Sequence, residues 1–96
     1  MEPSAIFHLH PAVAIEDFES GSLALNVETL RLVELNHTAR EIARRLEQGQ
    51  SLGEIAAAIA KDYAQPVNTV LADVTEVIEQ LLALEIIQPG AATEGE

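Results

Sequence analysis

The segment Leu30-Arg31-Leu32-Val33-Glu34-Leu35-Asn36-His37-Thr38-Ala39 divides the chain into two kinds of pattern. Before it, β-branched residues and leucines alternate loosely with polar ones, as in short strands. After it, apolar residues return every three or four positions between helix caps, as in amphipathic helices. Leu30–Leu35 itself reads as the last strand of the front third, and Thr38 as the start of the first helix.

Working back from Leu30, Leu23, Leu25 and Val27 alternate with Ala24 and Asn26, which predicts a strand with one buried face. Asp17 to Ser22, with Gly21, reads as a turn. Ile6 to Phe18 is one bent strand or two short ones, and Pro11 confines that part to an edge or a break. A three-stranded antiparallel sheet is the simplest product. Met1 to Ala5 reads as a tail of little content, residues 6–90 as one domain, and 91–96 as a frayed acidic tail.

Working forward, Thr38-Ala39-Arg40-Glu41 has the spacing of a capping box, with Ala39, Ile42, Ala43 and Leu46 on one face and Gly49 as the stop. Ser51-Leu52-Gly53-Glu54 repeats the box and starts a second helix that turns Leu52, Ile55, Ala56, Ile59 and Tyr63 inward. Pro66 suits the first turn of a third helix, whose apolar spacing runs from Val67 to Leu84. Glu85 to Gln88, before Pro89, continues that helix or forms a short terminal strand. The resulting class is α+β: a three-stranded antiparallel sheet followed by three helices in the order of a winged helix-turn-helix.

Composition narrows the function. Ninety-six residues form one domain without room for a deep cleft. Sixteen acids against five bases give a net charge of −11, the wrong sign for phosphate neutralisation, so nucleic acid is not an expected partner and a neutral or basic one is. No cysteine is present, so disulfides and thiolate metal sites are excluded, and a cytoplasmic location fits. Neither a signal peptide nor an apolar run of membrane-spanning length is visible.

The residues show no nucleophile elbow, phosphate-binding glycine loop or paired-carboxylate site, so neither catalysis nor a cofactor is expected. His8 and His10 fall on one face of a strand, but a metal site needs three or four converging ligands and none completes the set. Exposed or hydrogen-bonding histidines are the simpler reading. Acyl carrier proteins are also small and acidic, but their Asp-Ser-Leu attachment site has no counterpart here. Arg40, Arg44 and Arg45 on the first helix form a solvated face with Glu41 and Glu47, or else a docking spot for an acidic partner. The polar side of the third helix, with Asp73, Glu76, Glu79 and Glu85, holds no Lys or Arg.

Three strands, then Leu35-Asn36 ahead of Thr38-Ala39 and Glu41-Ile42, then Gly49 leading into Ser51-Leu52 and Glu54-Ile55-Ala56, then a long third helix: this order resembles the PqqD-like family over about residues 11 to 88. Those are winged-helix recognition elements for ribosomally synthesized and post-translationally modified peptides. Glu85 departs from the pattern, since a glycine or similarly permissive residue is expected where the third helix ends. The resemblance implies a non-catalytic peptide chaperone that binds the leader of a precursor peptide and presents it to a modifying enzyme. In the pyrroloquinoline quinone pathway that enzyme is a radical S-adenosylmethionine protein.

In such a fold Leu30–Leu35 is a sheet edge beside the third helix, open to an extended peptide. Arg31, Leu32, Val33 and Glu34 on the strand, with Val70, Asp73, Val74 and Val77 on the helix, are then the candidate binding residues. The apolar ones would hold leader side chains, and Asp73 would attract a Lys or Arg. Core packing is the competing reading for each valine. A winged-helix regulator contacting DNA is the alternative function, opposed by the acidic third helix. The peptide's identity, the enzyme and the oligomeric state are not written in the residues.

Overall fold

The computed structural model describes residues 1–90, so the acidic tail expected at 91–96 lies outside the described residues. Five strands and three helices follow in the order β1 (Phe7–Leu9), β2 (Val13–Phe18), β3 (Gly21–Asn26), β4 (Arg31–Leu35), α1 (His37–Glu47), α2 (Leu52–Tyr63), α3 (Val67–Ala83) and β5 (Ile87–Pro89). The expected α+β winged-helix arrangement is present, with β2, β3 and β4 as an antiparallel sheet in that order and both β2 and β4 at its edges. A second sheet was not foreseen. It pairs β1 antiparallel with β5, placing Phe7 opposite Pro89 and Leu9 opposite Ile87, so that of Glu85 to Gln88 the last two residues are strand and the first two lie in the turn after α3. No described helix is long and apolar enough to cross a membrane.

Each local device has a physical cause, and several differ from the expected ones. The β2–β3 turn is tighter than Asp17–Ser22, because β2 continues to Phe18 and only Glu19 and Ser20 lie between the strands. The last strand starts at Arg31 and not at Leu30, whose φ of +63° puts it in the turn. In α1 the capping residue is Asn36, whose Oδ1 accepts from the Ala39 amide at 2.8 Å, so Thr38 already lies inside the helix and forms no capping box. The box expected at Ser51 and Glu54 is complete in both directions.

Met1 to Ala5 also differs from a tail of little content. The amides of Gly53 and Leu52, free donors at the start of α2, are taken by the carbonyls of Pro3 and Ala5 at 2.7 and 2.8 Å. Gly53 leaves room for this contact, since a Cβ there would lie 3.1 Å from the Pro3 oxygen and press on it by a few tenths of an ångström.

The core is aliphatic. Leu35, Ile42, Leu46, Leu52, Ile55, Val74, Ile78, Ile86 and Ile87 are buried in one cluster, closed by Phe7. Tyr63, expected inward, is exposed at the end of α2. A phenol there keeps its hydroxyl in water, which burial among aliphatic side chains would forbid without a partner.

One polar side chain lies fully inside. Asn26, at the end of β3, has no exposed surface. Its Oδ1 accepts from the amides of Glu28 and Thr29, at 2.9 and 3.1 Å, and its Nδ2 donates to the Glu85 carbonyl at 2.8 Å. Glu85 in turn ends α3 with a Schellman motif: its own amide reaches Leu82 and that of Ile86 reaches Leu81, both at 3.0 Å. The motif requires a left-handed residue, and Glu85 supplies it at φ +59°, where glycine would pay no steric penalty.

Two stability changes follow. Asn26→Ala should lower the unfolding free energy by about 2–4 kcal/mol, because three hydrogen bonds of a buried side chain are lost at once. Glu85→Gly should raise it by up to about 1 kcal/mol, left-handed strain of roughly 1–2 kcal/mol being partly offset by glycine's larger chain entropy. Urea titration followed by circular dichroism measures both.

Candidate peptide-binding groove

Which backbone groups face outward on β4 follows from the register. Phe18 and Gly21 flank a two-residue turn, so they are a hydrogen-bonded pair, and alternate residues of β3 thereafter bond to β2. The Val27 amide bonding to Ala12, at 2.9 Å, continues that series. Ser22, Ala24 and Asn26 therefore bond the other way, to Leu35, Val33 and Arg31. The N–H and C=O groups of Leu32 and Glu34 are left pointing off the sheet.

The third helix flanks this edge. At one end Arg31 and Glu85 approach to 3.7 Å as an exposed ion pair. At the other end, just past Leu35, Thr38 shares a cavity of about 180 Å³ with Val70, Asp73, Val74 and Val77 of α3, along with Ile42, Ile59, Tyr63 and Gln65. Five strand residues span roughly 16 Å. Val74 to Glu85 spans about the same along a helix axis. These two approaches set α3 antiparallel to β4. β4 packs on β3 and α1, and α3 packs on α2 and β5, so the space between the free edge of β4 and α3 is the candidate groove.

The expected residues take distinct places in it. Leu32 and Glu34 are exposed on the outer face of the sheet, whereas Arg31 and Val33 share the inner side with Leu35, and Val33 is half-buried against the core. Val70 and Val74 are buried and form the cavity floor, so core packing and groove lining are the same role for them. Val77 is half-buried on the wall and Asp73 is exposed at the mouth. Sequence reasoning missed Thr38, Ile42, Ile59, Tyr63 and Gln65. Thr38 alone left a usable signal, because a residue three positions beyond an edge strand must lie near that edge.

Arg40, Arg44 and Arg45 do not act as one patch. Arg45 is held by Glu41 at 2.9 Å and Asp62 at 3.6 Å. Arg40 binds Asp17 of β2 at 2.8 Å, and this bond, with one from Ser22, holds the Asp17 carboxyl below the usual aspartate range. Arg44 is exposed and in no ion pair among the described residues; it and Arg40 line a polar hollow of about 490 Å³ with His37 and Tyr63. On β1 and beyond, His8 is exposed, and the His10 ring accepts a hydrogen bond from the Ala12 amide at 3.0 Å. No group of three or more potential metal ligands occurs among the described residues.

The family model for PqqD, coenzyme PQQ synthesis protein D, matches residues 21–87. Among solved structures, a lasso peptide synthetase B1 complexed with its leader peptide superposes with a TM-score of 0.79 at 23% identity, covering 86% of this chain and 98% of that one. TbiB1 in complex with the TbiA(beta) leader peptide gives 0.78 at 23% identity, over 84% and 94%. The PqqD truncation of Methylobacterium extorquens PqqCD, a stand-alone recognition element, gives 0.72 at 19% identity, over 92% and 99%. At such identities the likeness establishes the fold alone. A search of curated proteins found no significant match.

The edge assignment has a direct check. In hydrogen exchange, the amides of Val33 and Leu35 should be protected while those of Leu32 and Glu34 exchange about as fast as loop amides. Protection of the second pair would show the register argument to be wrong.

Proposed function

We propose, from the premise that the chain belongs to the PqqD family, that residues 6–90 act as one non-catalytic peptide-binding domain. Its ligand is the leader segment of a ribosomally made precursor peptide, added as a further strand at the free edge of β4. The observation that carries this reading is an edge strand with unpaired backbone groups, approached at its Arg31 end by the end of a helix and followed at its Leu35 end by an apolar cavity on the same helix. Two solved structures of like fold are complexes with leader peptides, which supports a leader peptide as the ligand.

Energetics assign the roles within the groove. Leu32 and Glu34 offer four backbone groups, worth about 2–6 kcal/mol together at roughly 0.5–1.5 kcal/mol each. Ordering five peptide residues costs about 5–10 kcal/mol. Strand pairing therefore sets direction and register, and side-chain burial against Val33, Val74 and Val77 must supply the affinity. A bound strand would place alternate side chains inward, beside Arg31, Val33 and Leu35, and the intervening ones outward, beside Leu32 and Glu34.

The domain then presents the peptide to a modifying enzyme, which in a pyrroloquinoline quinone pathway is a radical S-adenosylmethionine protein. Arg44, exposed and outside any described ion pair, is the first residue to test as a docking point for that enzyme, with Arg40 beside it. DNA binding is disfavoured by the carboxylates on the open side of α3, which would face the phosphates.

Leader peptides encoded near the gene provide the test. Titration should shift the amide resonances of Leu32, Glu34 and the α3 residues lining the groove; shifts confined to other surfaces would refute strand addition. Leu32→Pro removes one outward N–H while leaving the β3–β4 ladder bonds in place, so it should weaken leader binding about tenfold or more with the fold retained by circular dichroism.

A further inference from the structure

The cavity at the Leu35 end of the groove joins two chemistries. Its walls are aliphatic, including Ile42, Val74 and Val77, whereas its mouth carries the Thr38 hydroxyl, the Gln65 amide and the Asp73 carboxylate. No Lys or Arg lines it. Asp73 is exposed and in no ion pair among the described residues. An acidic side chain entering here would meet like charge. A purely aliphatic one would cover the walls but take water from Asp73 without giving it a partner, which costs free energy. A long side chain with an apolar stem and a cationic head satisfies both parts at once, the stem along Val74 and Val77 and the head at Asp73.

We propose that this cavity is a subsite for a Lys or Arg side chain of the bound strand. The proposal rests on strand addition at β4 and names the chemistry read at one end of it. The position is set by the inward series beside Arg31, Val33 and Leu35, of which the member beside Leu35 is nearest Thr38 and the cavity. The protein's net charge of −11 favours the same occupant at longer range.

The test uses the full chain and synthetic fluorescein-labelled decapeptides of alternating Thr and Val, in which each position in turn is Lys, norleucine or Glu. Anisotropy gives the affinity, and the Leu32 and Glu34 amide shifts report edge occupancy. At one position Lys should bind about two- to fivefold more tightly than norleucine, the near-isosteric uncharged stem, with Glu weakest. The gap should shrink at high salt. Asp73→Asn should abolish it, bringing Lys to the affinity that norleucine has for the same variant. Equal or better binding of norleucine at every position, or a Lys preference that survives Asp73→Asn, overturns the subsite. Edge shifts without a Lys preference overturn the subsite alone, whereas edge amides that no peptide moves overturn strand addition and the subsite together.

Discussion

The Asn26 side chain joins the two halves of the molecule. A buried amide left unpaired is costly, so its three hydrogen bonds act as a single geometric condition. Two of them shape the turn that sends the chain from β3 into β4. The third holds the end of α3 at the start of β4. Everything needed for a groove follows: the strand leaves the turn beside Glu85, the helix runs back along it, and the distance between them is set at one end by a bond to backbone, which side-chain motion cannot easily relax.

That tie explains two unfavourable backbone conformations. Leu30 leaves the β3–β4 turn at φ +63° and Glu85 leaves α3 at φ +59°, both in a region that suits glycine. Each sits directly beside a group engaged by Asn26 or its neighbours: the Leu30 amide donates to the Asn26 carbonyl at 2.7 Å, and the Glu85 carbonyl receives the Asn26 amide. The strain is thus offset locally by hydrogen bonds to Asn26. Glu85 keeps the left-handed geometry for which a glycine was expected, and its carboxylate adds an exposed ion pair to Arg31.

An unpaired strand edge is ordinarily an aggregation hazard, and this protein has two in its main sheet. The β2 edge carries Glu16 and Asp17, charges that oppose pairing with another copy. On β4 the side chains are mixed, Arg31 and Glu34 around Leu32 and Val33, and α3 stands alongside as a wall. A helix beside the edge obstructs pairing with a whole second sheet.

Much of this was legible in the residues, because local patterns have local causes. The switch from alternation to helical spacing at Leu35-Asn36, the capping box at Ser51 and the stop at Gly49 depend on neighbours within four or five positions, and they located the sheet, the helices and the order that marks the family. Val70, Asp73, Val74 and Val77 were readable as one helical stripe, and they line one cavity. Contacts distant in sequence were not. The pairing of β1 with β5, the seating of Pro3 and Ala5 on α2, the bond from Asn26 to Glu85 and the joining of Thr38 and Ile42 to the α3 valines span tens of residues, and a side chain's partner across such a separation leaves no periodic trace. Local propensity thus determined the elements and the candidate edge strand, whereas only packing decided that α3 lies antiparallel to that edge and that an acidic, apolar-walled cavity closes the end of the groove.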